Sequence, residues 1–282
     1  MWSIALTSRI CNGWLGRFLA PRLRAAGHVP IGLDVAPGAN THLVGSVADR
    51  AVVERAFTDY GIEAVVHAAA LHKPDIAHYH AGAFIDVNVT GTLTLLEAAA
   101  AASHDRFVFT STTSLMISDA IHRGEAHAAV WLDENFGPLA PRNIYGITKL
   151  TAEGLCRLHF LEHGLNCVIL RAGRFFPEED DTQRELPGPN LKTNEFLNRR
   201  LTVEDAADAH VMALDRAPAL ASKFSSCRRL RPSSVPRRGS SNGQRQMSLL
   251  ATFRTRRRST RGAAGNYQAA SGESMTPAAS SA

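Results

Sequence analysis

Apolar positions follow two alternating patterns along the first 216 residues. Short apolar runs predict buried strands, and apolar residues recurring every three or four positions predict helices. We expect strands at Ser3–Thr7, His28–Asp34, Ala64–Ala68, Arg106–Ser111 and Cys167–Arg171. We expect helices at Trp14–Ala26, Val47–Tyr60, Ala81–Ala102, Asn143–His163 and Glu204–Arg216. Because strands and helices alternate, the chain predicts an α/β fold with a doubly wound parallel sheet covered on both faces.

Beyond Ala221 the periodic pattern stops and the charge changes sign. Residues 222–282 hold twelve Lys and Arg residues and one acid, a net charge of +11, whereas residues 1–221 carry −6. We expect a folded domain over 1–221, within which 175–200 contribute to a small, incomplete C-terminal substrate lobe. The Ser/Arg-rich tail over 222–282 is expected to be disordered or translated out of frame. Because the positive charge belongs to the tail, the domain is not expected to bind nucleic acid.

Composition narrows the class of protein further. No apolar run approaches the ~20 residues of a spanning helix, so no membrane segment is expected. The four cysteines have no paired spacing, which argues against a disulfide scaffold or a zinc ribbon and favours a cytoplasmic protein. No acidic residue precedes Asp34, and an acid-free N-terminus is also typical of a mitochondrial presequence. The same residues fit a strand, a turn and a helix better.

Glycines follow the first predicted strand in Gly13-Trp14-Leu15-Gly16. Such a turn lets the backbone approach a pyrophosphate at a helix N-terminus, as in a Rossmann-like dinucleotide site. Asp34 ends the second strand, where a carboxylate accepts hydrogen bonds from both adenosine ribose hydroxyls and repels a 2′-phosphate. These residues predict NAD as the cofactor; an ordinary Asp at a strand end is the alternative.

Tyr145 and Lys149 lie four positions apart on one predicted helix face. An ammonium beside the phenol would lower the tyrosine pKa, so that Tyr145 exchanges a proton with a substrate oxygen while hydride moves to or from nicotinamide. The hydroxyl-rich strand end Phe107–Ser114 precedes this helix and can hydrogen-bond the same oxygen. A surface Tyr/Lys pair is the simpler alternative.

Several segments between residues 3 and 220, in order and spacing, resemble the extended short-chain dehydrogenase/reductase superfamily, NAD-dependent epimerase/dehydratase branch. The resembling segments are Gly13–Gly16, Gly32–Asp34, Val65–Ala70, Asn88–Thr92, Phe107–Thr112, Tyr145–Lys149, Leu170–Arg171 and Val203–Ala206. The resemblance implies that Tyr145 is the catalytic acid/base and that Lys149 binds the nicotinamide ribose. It also implies that Thr112 is the third catalytic hydroxyl, with Ser111 as the alternative, and that Asn88 supports the site.

The same resemblance implies further cofactor and substrate contacts. The cofactor-binding residues would be Gly13, Trp14, Leu15, Gly16, Asp34, Ala68, Ala69, Ala70, Tyr145, Lys149, Ala172 and Arg174. The substrate-binding residues would be Thr113, Arg174 and Arg200, and an anionic substrate fits Arg171, Arg174, Arg199 and Arg200. A homodimer through the long helices is expected from the family.

Two departures from the family pattern bear on activity. Ile10 occupies the position of the first glycine of the phosphate loop, and a β-branched residue there disfavours close approach of a phosphate. Thr113 and Ser114 stand where sugar-nucleotide dehydratases carry an acidic pair, so dehydration by that route is not expected.

We therefore predict an NAD-dependent oxidoreductase or epimerase acting on a sugar-like or sugar-nucleotide hydroxyl or carbonyl, with a simple dehydrogenase/reductase favoured. The alternative is a catalytically weak or inactive Rossmann-fold protein that binds cofactor or partners. Two minor alternatives are a metal at His72, His78 and His80 and RNA binding by the Arg254–Arg258 cluster. Neither is expected, because companion ligands and interleaved aromatic residues are missing.

Overall fold

A six-stranded parallel sheet lies at the centre of the protein in the computed structural model, which describes residues 2–7, 13–123, 132–133, 136–176 and 200–221. Its strands run in the order β3-β2-β1-β4-β5-β6. They are β1 (Ser3–Thr7), β2 (Val29–Asp34), β3 (Leu43–Val44), β4 (Ala64–His67), β5 (Phe107–Thr112) and β6 (Cys167–Ala172). This order is that of a Rossmann-like doubly wound sheet, so the predicted fold class is confirmed.

Helices cover both faces of the sheet. They are α1 (Trp14–Ala25), α2 (Arg50–Tyr60), α3 (Ala81–Phe84), α4 (Gly91–Ala101), α5 (Asp119–His122), α6 (Ile144–His163) and α7 (Val203–Ala221). Helices α1 and α7 share one apolar cluster with the sheet, and α2, α4 and α6 share the other. Alanines at 206, 209 and 213 are buried, so α7 lies close to the sheet. The ion pair Arg22–Asp208 at 2.6 Å and the side-chain contact His28–Asp215 at 3.3 Å also join the α1 end of the chain to α7.

The predicted single helix Ala81–Ala102 is interrupted. A π-helical segment, Ile85–Thr90, separates α3 from α4. The backbone carbonyl of Asn88 accepts a 2.7 Å hydrogen bond from the Thr92 hydroxyl, which lies 2.8 Å from Nε2 of His67. Because the Thr92 proton is used on that carbonyl, Nε2 of His67 is the donor in the second bond. Burial lowers the pKa of His67 well below its ordinary value, so this imidazole is neutral.

Two short strands lie outside the six-stranded sheet. Strands β7 (Arg174–Phe176) and β8 (Arg200–Thr202) form a separate parallel pair, which the sequence patterns did not predict. Residues 8–12, which include Ile10, residues 177–199 and the tail beyond 221 lie outside the described residues. The expectations that concern those segments stay predictions.

Candidate active site

A cleft of about 280 Å³ opens at the carboxyl ends of β2 and β4. The predicted cofactor residues Asp34, Ala69 and Ala70 line it together with Ser46 and Tyr79. Parallel strands bring their carboxyl ends to the same edge, where doubly wound proteins bind ligands. Ala68 is buried beneath this lining.

Asp34 is the buried polar group of the cleft, at 2% exposure. Its Oδ1 accepts a 3.1 Å hydrogen bond from the backbone N–H of Ala36. Its Oδ2 is buried and has no hydrogen-bond partner within the described part of the chain. A buried carboxylate oxygen without a donor is costly, and a ligand hydroxyl reaching the cleft would satisfy it.

Asn88 connects the cleft to the α6 side of the site. This side chain, 1% exposed, accepts from the Leu71 N–H at 2.8 Å and donates to the Leu71 carbonyl at 3.0 Å. It also donates to the Thr148 hydroxyl at 3.0 Å. One amide therefore holds the segment after β4 against α6, one turn from Tyr145, as a positioning residue.

Tyr145 lies at the start of α6, where Asn143 caps the helix by accepting from the Gly146 N–H at 2.9 Å. Gly146 packs so closely on Pro141 that an added Cβ would lie 2.7 Å from the proline Cβ. The phenol is buried at 6% exposure and lies next to the Thr112 hydroxyl at the end of β5. Burial raises the pKa of Tyr145 to about 12, although the neighbouring Thr112 hydroxyl acts to lower it.

Lys149 lies deeper than the sequence suggested. Its Nζ donates to the backbone carbonyl of Thr110 at 2.8 Å and lies 4.5 Å from the centre of the Phe109 ring. Burial lowers the pKa of this amine to about 7. The expected lowering of the Tyr145 pKa is therefore not found in this structure, because the long lysine side chain reaches β5 and the phenol is desolvated.

The neighbouring polar groups form a closed network. The Ser111 hydroxyl donates to Glu153 at 2.6 Å, and Arg171 donates to both carboxylate oxygens at 2.9 and 2.7 Å. Ser111 and Glu153 are buried, and the Arg171 side chain is 19% exposed. Ser111, the alternative third hydroxyl, and Arg171, a suggested anion ligand, are both engaged within the protein.

The other predicted residues lie at α1, after β5, at the end of β6 and in the separate β7–β8 pair. Gly13 is the residue before α1, with extended backbone at φ −75° and ψ 177°. Trp14 packs edge-on against Phe175 with ring centres 6.1 Å apart. The remaining positions are Leu15 and Gly16, buried in α1; Thr113, half-buried after β5; Ala172, buried at the end of β6; Arg174, exposed in β7; and Arg200, in β8.

Sequence reasoning missed two residues that belong to this edge, Ser46 and Tyr79, and it named His72 only as a solvated or substrate-facing histidine with a metal as a minor alternative. Ser46 and Tyr79 line the cleft, and His72 lies against Tyr145 with ring centres 5.6 Å apart. Ser46 follows β3, and a two-residue strand gives too short an apolar pattern to detect. Tyr79 and His72 come from the segment after β4. Loops at the carboxyl ends of parallel strands commonly carry ligand contacts, and this rule could have pointed to both residues.

Within the described residues, no group of three His, Cys, Asp or Glu side chains could hold a metal ion. His72, His78 and His80 therefore do not form a metal centre on the described part of the chain. None of its helices is long and apolar enough to cross a membrane.

The fold and the cleft define a dinucleotide-binding protein of the α/β class. The model of the NAD-dependent epimerase/dehydratase family matches residues 11–189, more than half of the chain. The chain therefore belongs to the NAD-dependent epimerase/dehydratase family. The predicted family and the expectation of an enzyme are confirmed.

Individual relatives agree with this assignment. The chain is 32% identical over 241 residues to a UDP-glucose 4-epimerase of Rhizobium meliloti (strain 1021), covering 72% of this chain and 70% of that protein. It is 34% identical over 131 residues to an L-arabinose 1-dehydrogenase (NAD(P)(+)) of Haloferax volcanii, where the match covers 45% of this chain and spans half the length of the relative.

Among solved structures, a UDP-glucose 4-epimerase of Thermus thermophilus in complex with NAD has the same fold. The TM-score is 0.61 at 19% identity, covering 88% of this chain and 90% of that one.

The residues of the cleft fit the cofactor of an NAD-dependent family. The unpartnered Oδ2 of Asp34 matches a ribose hydroxyl, and the small side chains of Ala69 and Ala70 leave room beside it. The expectation of NAD agrees with the family description.

Proposed function

We propose that this protein is an NAD-dependent oxidoreductase or epimerase that acts on a hydroxyl or carbonyl group of a sugar or sugar nucleotide, with Tyr145, Thr112 and Lys149 as its catalytic residues. The observation that carries the proposal is the buried Tyr145 phenol next to the Thr112 hydroxyl, at the sheet edge that also bears the cleft. Two hydroxyls at a water-poor position suit proton exchange with one substrate oxygen.

Asp34 would hold the adenosine ribose through Oδ2, with Ala69 and Ala70 beside the nucleotide. The backbone of Gly13–Gly16 would approach the pyrophosphate at the start of α1. Ala172 and Arg174 would contact the nicotinamide side. Bound NAD supplies a hydride acceptor for the carbon that carries the reacting oxygen.

Tyr145 would take the proton of the substrate hydroxyl as that carbon is oxidised, and would return it in the reverse direction. The Thr112 hydroxyl would hydrogen-bond the same oxygen and orient it. Lys149 would exchange the Thr110 carbonyl for a ribose hydroxyl, which would bring positive charge nearer to the phenol and lower its pKa from the raised value of the present structure.

The substrate class rests on the relatives. The Rhizobium protein acts on a nucleotide sugar and the Haloferax protein on a free sugar, according to their names. We assign Arg174 and Arg200 to a substrate phosphate, as the family resemblance implies, whereas Arg171 is engaged with Glu153. Thr113, next to Thr112, would contact the sugar.

Replacing Tyr145 with phenylalanine tests the proposal. The protein would be incubated with NAD and either UDP-glucose or L-arabinose, with the epimeric product measured by chromatography and NADH by absorbance. We expect Tyr145→Phe to lower turnover by about 10²–10⁴-fold, a typical contribution of a general acid/base. NAD affinity, measured by calorimetry, should stay nearly unchanged.

Tyr60→Phe is the matched control, because its phenol lies away from the site and donates to the His42 carbonyl at 3.2 Å. Normal turnover in Tyr145→Phe would refute the assigned chemistry. NAD binding without turnover of any sugar in the unmodified protein would instead support an inactive cofactor-binding protein.

We also propose a homodimer that forms through the long helices. Ile147, Leu158 and Leu161 are 48%, 42% and 66% exposed on α6. Their spacing places them on one helix face with Gly154, around which the described chain leaves open space. A change of Leu161→Glu should shift the mass measured by light scattering toward the monomer, and an unchanged dimer would locate the interface elsewhere.

We propose that residues 1–221 form the folded domain and that 222–282 derive from a shifted reading frame. The support is compositional: the net charge changes from −6 to +11 at this boundary. Sequencing the gene tests the idea, because one alternative frame should encode a further strand and helix.

A further inference from the structure

Three buried polar side chains follow one another on one face of α6. Tyr145, Lys149 and Glu153 are spaced four residues apart, and each is less than a tenth exposed. The Lys149 amine donates to the backbone carbonyl of Thr110 in β5 at 2.8 Å. The Glu153 carboxylate accepts from the hydroxyl of the next residue of β5, Ser111, at 2.6 Å. A cationic and an anionic side chain of α6 therefore reach consecutive residues of one strand, in a part of the protein shielded from water.

The Glu153 carboxylate lies close to two cationic side chains. Arg171, which pairs with Ser111 in the register of β5 and β6, donates to both carboxylate oxygens at 2.9 and 2.7 Å. The second cation, Lys149, lies one helical turn before Glu153 on α6. Without the carboxylate, two cations would share a desolvated region, which disfavours their charged forms. Since a guanidinium keeps its proton in proteins, the Lys149 amine would be the group to lose its charge.

The other titratable groups around the amine are neutral. Burial lowers the pKa of His67 in β4 well below its ordinary value, and the nearby Lys149 charge lowers it further. Burial raises the pKa of the Cys156 thiol, two turns after Lys149 on α6, well above its ordinary value. The phenol of Tyr145 is neutral as well, because burial raises its pKa to about 12. Among the described groups around the amine, the Glu153 carboxylate is therefore the one that carries a negative charge.

We propose that Glu153 is a positioning residue that keeps the Lys149 amine charged, and that Arg171 limits this effect by binding the same carboxylate. The inference rests on the proposed function, in which a charged Lys149 leaves the Thr110 carbonyl for the cofactor ribose. A ribose hydroxyl replaces the hydrogen bond to that carbonyl but carries no charge. The carboxylate therefore supplies the balancing charge before and after cofactor binding.

Matched substitutions of the two partners test the inference without turnover. The chain contains four lysines, so ¹³C-lysine labelling gives few NMR signals, and Lys149→Met identifies the signal of Lys149. Glu153→Gln should shift the titration midpoint of this signal down by about 1 pH unit, because a nearby opposite charge changes a pKa by about 1–3. Arg171→Gln should shift the midpoint up, because the carboxylate then acts on the amine alone.

Glu162→Gln is the matched control, because it makes the same change at an exposed position of α6 and should leave the midpoint unchanged. If Glu153→Gln does not fold, the double variant Glu153→Gln/Arg171→Gln removes both charges of the ion pair together. It differs from Arg171→Gln by the charge of Glu153 alone, so its midpoint should lie below that of Arg171→Gln.

The opposite signs of the two shifts distinguish an effect of charge from a structural one. Both single substitutions break the same ion pair, so a merely structural role would move both midpoints in the same direction as water enters. Shifts of the same sign, unchanged midpoints, or a double variant that titrates like Arg171→Gln would overturn the inference.

The pH profile of kcat tests the proposed function separately. Its alkaline limb should move with the amine, to lower pH in Glu153→Gln and to higher pH in Arg171→Gln. NMR midpoints that move in opposite directions beside an unchanged pH profile would refute the proposed role of Lys149 in catalysis. That result would still support the effect of Glu153 on the charge of the amine.

Discussion

The cleft around Asp34 shares one edge of the sheet with Tyr145, Lys149 and Glu153, which together we call the reaction end. The two regions are built in different ways. The cleft combines small side chains at Ala69 and Ala70 with a carboxylate oxygen of Asp34 that has no partner on the described chain. At the reaction end, Lys149 and Glu153 are already hydrogen-bonded within the protein. Under the proposed function, the cleft would accept ligand hydroxyls without rearrangement, whereas the reaction end would exchange internal hydrogen bonds for bonds to its ligands.

Breaking the closed network should have the largest effect on stability. Glu153→Ala leaves the guanidinium of Arg171 and the Ser111 hydroxyl without their shared acceptor. Removing one partner of a buried ion pair costs about 3–5 kcal/mol, so we expect a loss near that size in the free energy of unfolding, measured in urea. Glu54→Ala is the control, because its 3.9 Å pair with Arg50 is exposed. Equal losses in both variants would contradict the buried network.

Removing the Asp34 carboxylate tests the cleft side of the comparison. Asp34→Ala should lower NAD affinity by about 10- to 100-fold, since charge-assisted hydrogen bonds contribute about 1.5–3 kcal/mol each. The preference for NAD over NADP should narrow, because repulsion of the 2′-phosphate is lost as well. Calorimetric titration with both cofactors measures this. Tighter binding of NADP than of NAD by the unmodified protein would refute the role of Asp34.

The smallest effect concerns the buried amine. Burial lowers the pKa of Lys149 from 10.5 to about 7, so between these values the unfolded chain binds more protons than the folded one. The contribution of Lys149 to the free energy of unfolding should therefore rise with pH across this window, by at most about 1.4 kcal/mol per pH unit.

Urea unfolding at several pH values between 7 and 10 measures this dependence. Lys149→Met should flatten it, and the exposed Lys73→Met should not. The same pH dependence in all three proteins would mean that the Lys149 amine is not desolvated in the folded state.

The sequence predicted those elements whose pattern of apolar and polar residues spans at least one full repeat. The strands β1, β2, β4, β5 and β6 and the long helix α6 were found from such patterns. Elements of two or three residues, such as β3, β7 and β8, contain less than one repeat of a pattern, so they could not be predicted.

The sequence could predict where a proposed site residue lies when the signal is local, as with Asp34 at the end of β2. Their partners were not, because they depend on packing between distant segments. The Lys149 amine bonds a carbonyl 39 positions away, and Glu153 pairs with Arg171 across two elements. A helical i, i+4 spacing places Tyr145 and Lys149 on one face but leaves open where a long side chain ends.

The π-helical segment Ile85–Thr90 restricts insertions and deletions of residues between α3 and α4. An α-helix turns by about 100° per residue, so one surplus residue rotates everything before it relative to everything after it. Phe84 packs against Tyr145 on one side of that offset, and Leu96 packs against the sheet on the other. A single-residue deletion here would turn one of these side chains out of its core. We therefore expect related chains to lack insertions and deletions at 85–90. Insertions and deletions should instead be tolerated in the loop 35–42.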